Sequence, residues 1–136
     1  MNREPYWLGR EIILSIQDEL LNRFGGLSGI RDEGLLESAL ARPEQLFHYG
    51  RPTVFELAAS YSMGLVKNHP FLDGNKRIGF MAAYTFLGAN DWELDAPEEE
   101  AVERTLALAA GAIGETEYAA WLERSSVPLP GSDSGT

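Results

Sequence analysis

The chain has 136 residues and no cysteine, and its 21 acidic and 11 basic residues give it a formal net charge of −10. A chain of this length predicts one domain that buries a core without disulfides. The negative charge argues against direct nucleic-acid binding, which requires a basic surface, and the missing cysteines argue against thiol chemistry and cysteine–zinc sites.

The ends of the chain and its longest apolar run predict the cellular location of the protein and the extent of its domain. Residues 1–6 lack a basic segment followed by an apolar stretch, so we expect no signal peptide. The apolar run before Gly88 is interrupted by polar and small residues and is too short to span a bilayer. We therefore expect a cytoplasmic protein without membrane contact. Pro, Gly, Ser and Asp dominate residues 125–136, which predicts a disordered tail behind a single domain at 1–124.

Hydrophobic spacing predicts helices in the first third of the chain. Apolar residues recur at helical spacing from Ile13 to Phe24, and Gly25-Gly26 ends that helix. Asp32 is positioned to cap a short second helix, which Pro43 is expected to close because proline cannot continue the hydrogen-bond ladder.

Helix signals also dominate the remainder. The capping-box pattern Thr53-x-x-Glu56 opens a third helix, and the apolar run 78–87 predicts a buried fourth. A fifth helix starts with Pro97 at its first position and ends at Gly111, and Thr116 is expected to cap a sixth. We therefore predict an all-α fold, a compact bundle of about six helices.

The segment His69–Arg77, with the sequence HPFLDGNKR, is the most informative part of the chain. It predicts a Gly-Asn turn that opens the buried fourth helix, with Lys76 and Arg77 in the first turn. A helix start presents unpaired N–H groups and the positive end of the macrodipole, so cations there are normally unfavourable. Two cations at such a position favour an anion-binding site, and phosphate is the usual anion.

The same segment offers ligands for phosphate groups. Backbone amides of Gly74, Asn75 and Lys76 can hold the phosphates of a nucleotide. Arg77 offers a planar fork and Lys76 a compact charge. Lys67, which precedes the segment, is either a further contact for the nucleotide or protein substrate or an ordinary surface lysine.

Two more side chains of the segment, Asp73 and His69, suggest chemistry. Asp73 is a hard oxygen ligand suited to Mg²⁺, although it is equally placed to be a helix cap. Imidazole exchanges protons near neutral pH, so His69 is the candidate general base for an attacking hydroxyl. Phe71 is expected to point inward and anchor the loop. The other histidine, His48, lies in a predicted loop where it either lines the site or faces solvent.

The segment resembles the signature of the Fic/Doc superfamily, written His-x-Phe-x-Asp/Glu-Gly/Ala-Asn-Gly/Lys-x-Arg, with Gly74 where many related members have alanine. The segments 29–43 and 65–68 are similar to its death-on-curing branch, and the resemblance extends over about residues 6–124. It implies the all-α Fic/Doc fold, with the motif loop at the start of a central helix. It also implies His69, Asp73, Lys76 and Arg77 as catalytic residues, with ATP and Mg²⁺ as substrate and metal.

The resemblance further implies a type of transfer. Superfamily members that transfer AMP generally carry glycine where Lys76 stands and a second arginine where Phe80 stands, whereas the death-on-curing branch is similar to this chain at both positions. That branch implies a toxin that transfers the γ-phosphoryl group of ATP, bound in a reversed orientation, to a hydroxyl of a protein such as translation elongation factor Tu. It also implies an antitoxin whose disordered segment folds beside the site.

Two alternatives remain open from the sequence. One is AMP transfer to a protein hydroxyl, and the other is a catalytically silent protein that binds an antitoxin or repressor; intact His69 and Asp73 weigh against the second. The acidic stretch 91–124 is either a solvated helix face or a surface that attracts a basic partner segment.

Overall fold

The computed structural model describes residues 3–131, and helices account for most of its architecture. Six helices occur in this part of the chain, which confirms the predicted all-α bundle. None of them is long and apolar enough to cross a membrane. The elements are α1 Arg10–Phe24, α2 Glu33–Tyr49, α3 Val54–Asn68, α4 Asn75–Ala89, β1 Trp92–Leu94, α5 Glu98–Ala110, α6 Glu115–Arg124 and β2 Ser126–Pro128.

Helix α3 lies at the centre of the bundle and packs against α2, α4 and α6. Nearly all of its side chains between Phe55 and Val66 are buried. The pairing of α3 with α4 is close because Gly79 brings the two backbones together, and its carbonyl accepts a 2.7 Å hydrogen bond from the Ser62 hydroxyl. The motif loop therefore joins the two most closely packed helices of the fold.

The predicted caps are confirmed at the starts of α2 and α3 but not at those of α5 and α6. Pro97 is the N-cap of α5 and not its first residue. Thr53 and Glu56 form the predicted capping box, in which the Glu56 amide donates to Thr53 and the Thr53 amide donates to Glu56. Asp32 caps α2 as expected, through a 2.9 Å bond from the Leu35 amide. The prediction for Thr116 is wrong, because Gly114 is the N-cap and Thr116 lies inside α6.

Helix α2 continues through Pro43 to Tyr49, so the prediction that Pro43 closes it is wrong. Pro43 is buried together with Ala39 on the inner face, and the continued helix places Phe47 edge-to-face against Trp7 at 5.6 Å. Burial of Pro43 itself and the contact of Phe47 with Trp7 offset the one hydrogen bond that the proline removes.

The predicted disorder from residue 125 is wrong for Ser126–Pro128, which form β2 and pair antiparallel with β1. The Asp95 amide donates to the Ser125 carbonyl at 2.7 Å, so the pairing begins directly after α6. A polar, proline-containing composition does not prevent a short edge strand when an unpaired partner strand lies next to it. Residues 132–136 of the predicted tail lie outside the described residues, and the boundary of the domain stays a prediction.

Two glycines of α4 give opposite expectations for substitution by alanine. A Cβ at Gly79 would lie 2.8 Å from Cγ1 of the buried, stiff Val66, whereas a Cβ at Gly88 would meet nothing within 4 Å. We predict that Gly79→Ala lowers the free energy of unfolding by about 1–3 kcal/mol through overpacking. Gly88→Ala should raise it by about 0.5–1 kcal/mol through helix propensity. Urea unfolding of both variants measures this difference, and equal stability would contradict the close α3–α4 contact.

Candidate active site

The motif loop begins directly after the end of α3 and leads into the first turn of α4. His69 is the C-cap of α3 and adopts the left-handed conformation, with φ of 49°, and Gly74 is the N-cap of α4 with φ of 78°. A left-handed histidine is uncommon and is retained only where surrounding contacts hold it. The predicted glycine turn that opens α4, with Lys76 and Arg77 in its first turn, is confirmed.

Asn75 holds the loop in shape from within. Its side-chain amide accepts from the Phe71 amide and donates to the Phe71 carbonyl, both at 3.0 Å. Phe71 is buried, as predicted, and forms an isolated bridge with Ile30. The same Asn75 nitrogen lies 3.5 Å from Nδ1 of His69, a contact that orients the imidazole without deciding which nitrogen carries the proton.

Arg31 holds the loop from outside, a role that the sequence analysis missed. Its guanidinium donates to the carbonyls of Asn68 and His69 at 2.9 and 2.7 Å, and its backbone amide donates to the Pro70 carbonyl at 2.7 Å. The fork therefore binds two successive carbonyls at the turn that orients His69. The only sequence signal was that Arg31 lies in the segment similar to the death-on-curing branch.

Asp73 contacts the loop between α1 and α2. One carboxylate oxygen accepts from the Gly74 amide at 2.9 Å, and the other accepts from the Leu27 amide at 3.2 Å. No side chain caps the start of α4, so the interpretation of Asp73 as the cap of this helix is wrong. Gly26 has φ of 117°, and a Cβ there would lie 2.8 Å from the Asp73 carboxylate, so a glycine is needed for this approach.

The motif residues line one open cleft with a volume of about 810 Å³, which lies in the range of small-molecule sites. The structure brings together six of the predicted site residues, His69, Asp73, Gly74, Asn75, Lys76 and Arg77. Beyond them the cleft continues along an apolar wall. That wall includes Phe80, Met81, Tyr84, Val102 and Leu106.

Two other candidates lie away from this cleft. The Lys67 ammonium donates to the Ala109 carbonyl at 3.1 Å, near the C-terminal end of α5, and does not line the cleft. A cation at a helix C-terminus is favourable, which explains this position. His48 is exposed in the last turn of α2 and also lies outside the cleft lining.

Arg77 is held by an aromatic ring that the sequence analysis did not connect with the motif. Its guanidinium carbon lies 4.4 Å from the centre of the Phe24 ring, at the end of α1. Cation–π contacts of this kind contribute about 0.5–2 kcal/mol. The ring thus fixes the direction of the guanidinium while the N–H groups remain free for a ligand.

The donor set around Asp73 fits Mg²⁺ bound together with a polyphosphate. Within residues 3–131 no group of three or more acidic or histidine side chains converges on one point. Mg²⁺ usually takes one or two protein carboxylates and completes its shell with phosphates and water, so the single exposed carboxylate of Asp73 would be sufficient if a polyphosphate supplied further ligands.

Comparison with known proteins agrees with this geometry. A family model described as the Fic/DOC family matches residues 7–87, which is more than half of the chain. The chain belongs to the Fic/DOC family. This membership confirms the resemblance that the motif indicated, and the matched range includes the whole motif loop, the Arg31 fork and Phe24.

Two curated proteins are similar to the chain. A protein named Toxin Doc from Mycolicibacterium smegmatis is 43% identical over 76 residues, which are 54% of this chain and 58% of that protein. The match to this relative thus spans less than two-thirds of its length. A protein named Protein kinase doc from Escherichia phage P1 is 32% identical over 116 residues, which are 84% of this chain and 90% of that protein.

We predict that Asn75→Ala destabilises the fold by about 1–3 kcal/mol, because the buried N–H and C=O groups of Phe71 both lose their partner. Asn22→Ala is the matched control, since Asn22 is an exposed asparagine of α1. Thermal unfolding of the two variants measures the difference. A melting temperature for Asn75→Ala equal to that of the control would show that the loop does not depend on this side chain.

Proposed function

We propose that this protein is the toxin of a toxin–antitoxin pair and transfers the γ-phosphoryl group of ATP to a serine or threonine hydroxyl of a protein. The single observation that carries this proposal is the convergence of His69, Asp73, Lys76 and Arg77 on one cleft at the start of α4. The names of the two relatives, a toxin and a protein kinase, support the same class of function.

In this proposal the nucleotide phosphates bind at the N-terminus of α4. The backbone amides of Asn75 and Lys76 supply donors, and the helix dipole adds positive charge. The Gly74 amide, which the sequence analysis included, already donates to the Asp73 carboxylate. Lys76 and Arg77 neutralise the remaining phosphate charge, Arg77 through its planar fork. Within the described residues neither of these two cations has a carboxylate within 4.0 Å, which leaves both available to a ligand.

His69 is the proposed general base. As the acceptor hydroxyl attacks the γ-phosphorus, its proton passes to the imidazole, a bond forms between the hydroxyl oxygen and phosphorus, and the bond to the β-phosphate oxygen breaks to release ADP. The Asn75 contact and the Arg31 fork keep the ring and its backbone in position for this transfer. Positioning and charge neutralisation carry most of the rate acceleration in such reactions.

Asp73 is the proposed Mg²⁺ ligand. When bound, the ion would neutralise charge on the phosphates and help to align them. The backbone amides of Gly74 and Leu27 orient the Asp73 carboxylate without involving every lone pair, so that it retains capacity for a metal bond.

The proposal favours γ-phosphoryl transfer over AMP transfer because of two positions that line the cleft, Lys76 and Phe80. A lysine at 76 adds bulk and charge where glycine would leave room for an α-phosphate. An apolar Phe80 offers no second phosphate clamp on α4. Both features suit a nucleotide in the reversed orientation, with its γ-phosphate nearest His69.

The proposed partners follow from the same cleft. The apolar wall carries the half-exposed side chains of Tyr84, Val102 and Leu106, and Glu98 on α5 lies at its edge. An antitoxin segment with an apolar face and basic flanks would complement this surface by folding into the groove beside the site. The substrate that we propose to test first is translation elongation factor Tu, as the death-on-curing resemblance implies.

We predict that the purified protein transfers label from γ-labelled but not from α-labelled ATP to a protein of a cell extract, and to purified elongation factor Tu. His69→Ala should lower the rate by about 10²–10⁴-fold, because a positioned base contributes that much. His48→Ala is the matched control, since it removes the other histidine of the chain, which lies outside the cleft.

Mass spectrometry of the product separates the alternatives. A phosphoryl adduct on serine or threonine supports the proposal, and an adenylyl adduct assigns AMP transfer instead. If neither label produces an adduct and the protein still binds an antitoxin, the protein is a catalytically silent binding protein. A His69→Ala variant that keeps more than about a tenth of the wild-type rate would refute the assignment of the base.

We also predict that Asp73→Ala removes the Mg²⁺ dependence of ATP binding, because the side chain no longer supplies a metal ligand. Isothermal titration with ATP, with and without Mg²⁺, measures the effect. Asp18→Ala, at an exposed position of α1, should retain the wild-type dependence. An unchanged Mg²⁺ effect in Asp73→Ala would limit the role of Asp73 to its bonds with the Leu27 and Gly74 amides.

A further inference from the structure

We propose that Arg23 is a further phosphate-binding residue of this cleft, and that Phe24 positions Arg23 together with Arg77. Both residues lie in the last turn of α1, far from the motif in sequence, and both line the same cleft as Arg77. The inference rests on the proposed function, because it assumes that the cleft binds a polyphosphate.

The first argument is geometric. The guanidinium carbon of Arg77 lies 4.4 Å from the centre of the Phe24 ring, and that of Arg23 lies 5.7 Å from the same centre. Phe24 is itself half-exposed, so burial in the core does not explain its place. One ring from α1 thus brings together two planar cations whose N–H forks suit phosphate oxygens.

The second argument is electrostatic. Two positive groups at a shared ring repel each other, and the positive end of α4 adds to that repulsion at Arg77. No carboxylate lies within 4.0 Å of either guanidinium among residues 3–131, although the whole chain has 21 acidic residues. The two cations therefore repel each other in the empty cleft, and an anion bound in the cleft would offset that repulsion.

The third argument comes from how other cations in the protein are used. Arg10 and Arg42 form ion pairs with Glu33 and Glu115, and Arg31 binds backbone carbonyls. These side chains have partners that explain their positions within the fold. The other arginines of the described part of the chain form no ion pair, and among them only Arg23 and Arg77 line the cleft, as expected for ligand-binding residues.

A purely structural role for Arg23 predicts something different. An arginine in the last turn of a helix stabilises the helix through its dipole, and Arg23 occupies that position in α1. Arg124 occupies the equivalent position in α6 and does not line the cleft. The variants Arg23→Gln and Arg124→Gln therefore remove the same helix-end charge, and only the first removes a proposed phosphate ligand.

The test is isothermal titration of the full-length protein and its variants with Mg²⁺–ATP and with inorganic tripolyphosphate. We expect Arg23→Gln to weaken binding of both probes by about tenfold, the effect of losing a charge-assisted hydrogen bond at an exposed site. Arg124→Gln should bind both probes as the wild type does. Phe24→Leu should weaken both by several-fold through loss of the cation–π contact, and Phe24→Tyr should restore them.

The outcomes separate this inference from the proposed function. If the wild type binds ATP and Arg23→Gln binds it with the same affinity, the role of Arg23 is overturned and the proposed function still stands. An Arg23→Gln variant that loses affinity for ATP but not for tripolyphosphate overturns the assignment to phosphate. If the wild type binds neither probe, both proposals fail. Melting temperatures identify any variant that does not fold. If either Arg23→Gln or Phe24→Leu does not fold, the affinities of the other variant for the two probes decide whether the proposal holds.

Discussion

The side-chain amide of Asn75 accepts a hydrogen bond from the Phe71 N–H group and donates one to the Phe71 carbonyl, within the loop that joins α3 and α4. Because Phe71 is buried, loss of the partner of these two backbone groups would cost about 1–3 kcal/mol. The two hydrogen bonds between Asn75 and Phe71 therefore fix the side of the motif loop that faces the core. The position of His69 and the start of α4 follow from them, since both lie within a few residues of the paired groups.

The remainder of the site is supported by the end of α1 and by the segment between α1 and α2. Arg31 binds two carbonyls at the end of α3, the Leu27 amide binds Asp73, and Phe24 stacks on Arg77. This segment, together with the last residue of α1, therefore contacts the backbone of the proposed base, the proposed metal ligand and the proposed phosphate ligand. Its backbone adopts positive φ at Gly25, Gly26 and Gly29, conformations that glycine alone adopts without strain.

The cleft combines two environments that suit different parts of one reaction complex. Its cationic end, at the start of α4, is positive within a chain of strongly negative net charge, as the proposed phosphate site requires. Its apolar wall, between α4 and α5, leaves large side chains half-exposed and suits a polypeptide. In the proposed reaction, the nucleotide would occupy the cationic end and the protein segment would occupy the apolar wall.

Local residue patterns determined the capping box at Thr53, the ends of α1 and α5, and the motif that groups His69 with Asp73 and Arg77. Such signals act between residues a few positions apart, so the sequence alone carries them. Only the tertiary structure decided that α2 passes through Pro43, that Lys67 turns to α5, and that Arg31 and Phe24 reach the motif. Those outcomes depend on which helix faces pack together, because burial and the partners it brings outweigh local preference once distant segments meet.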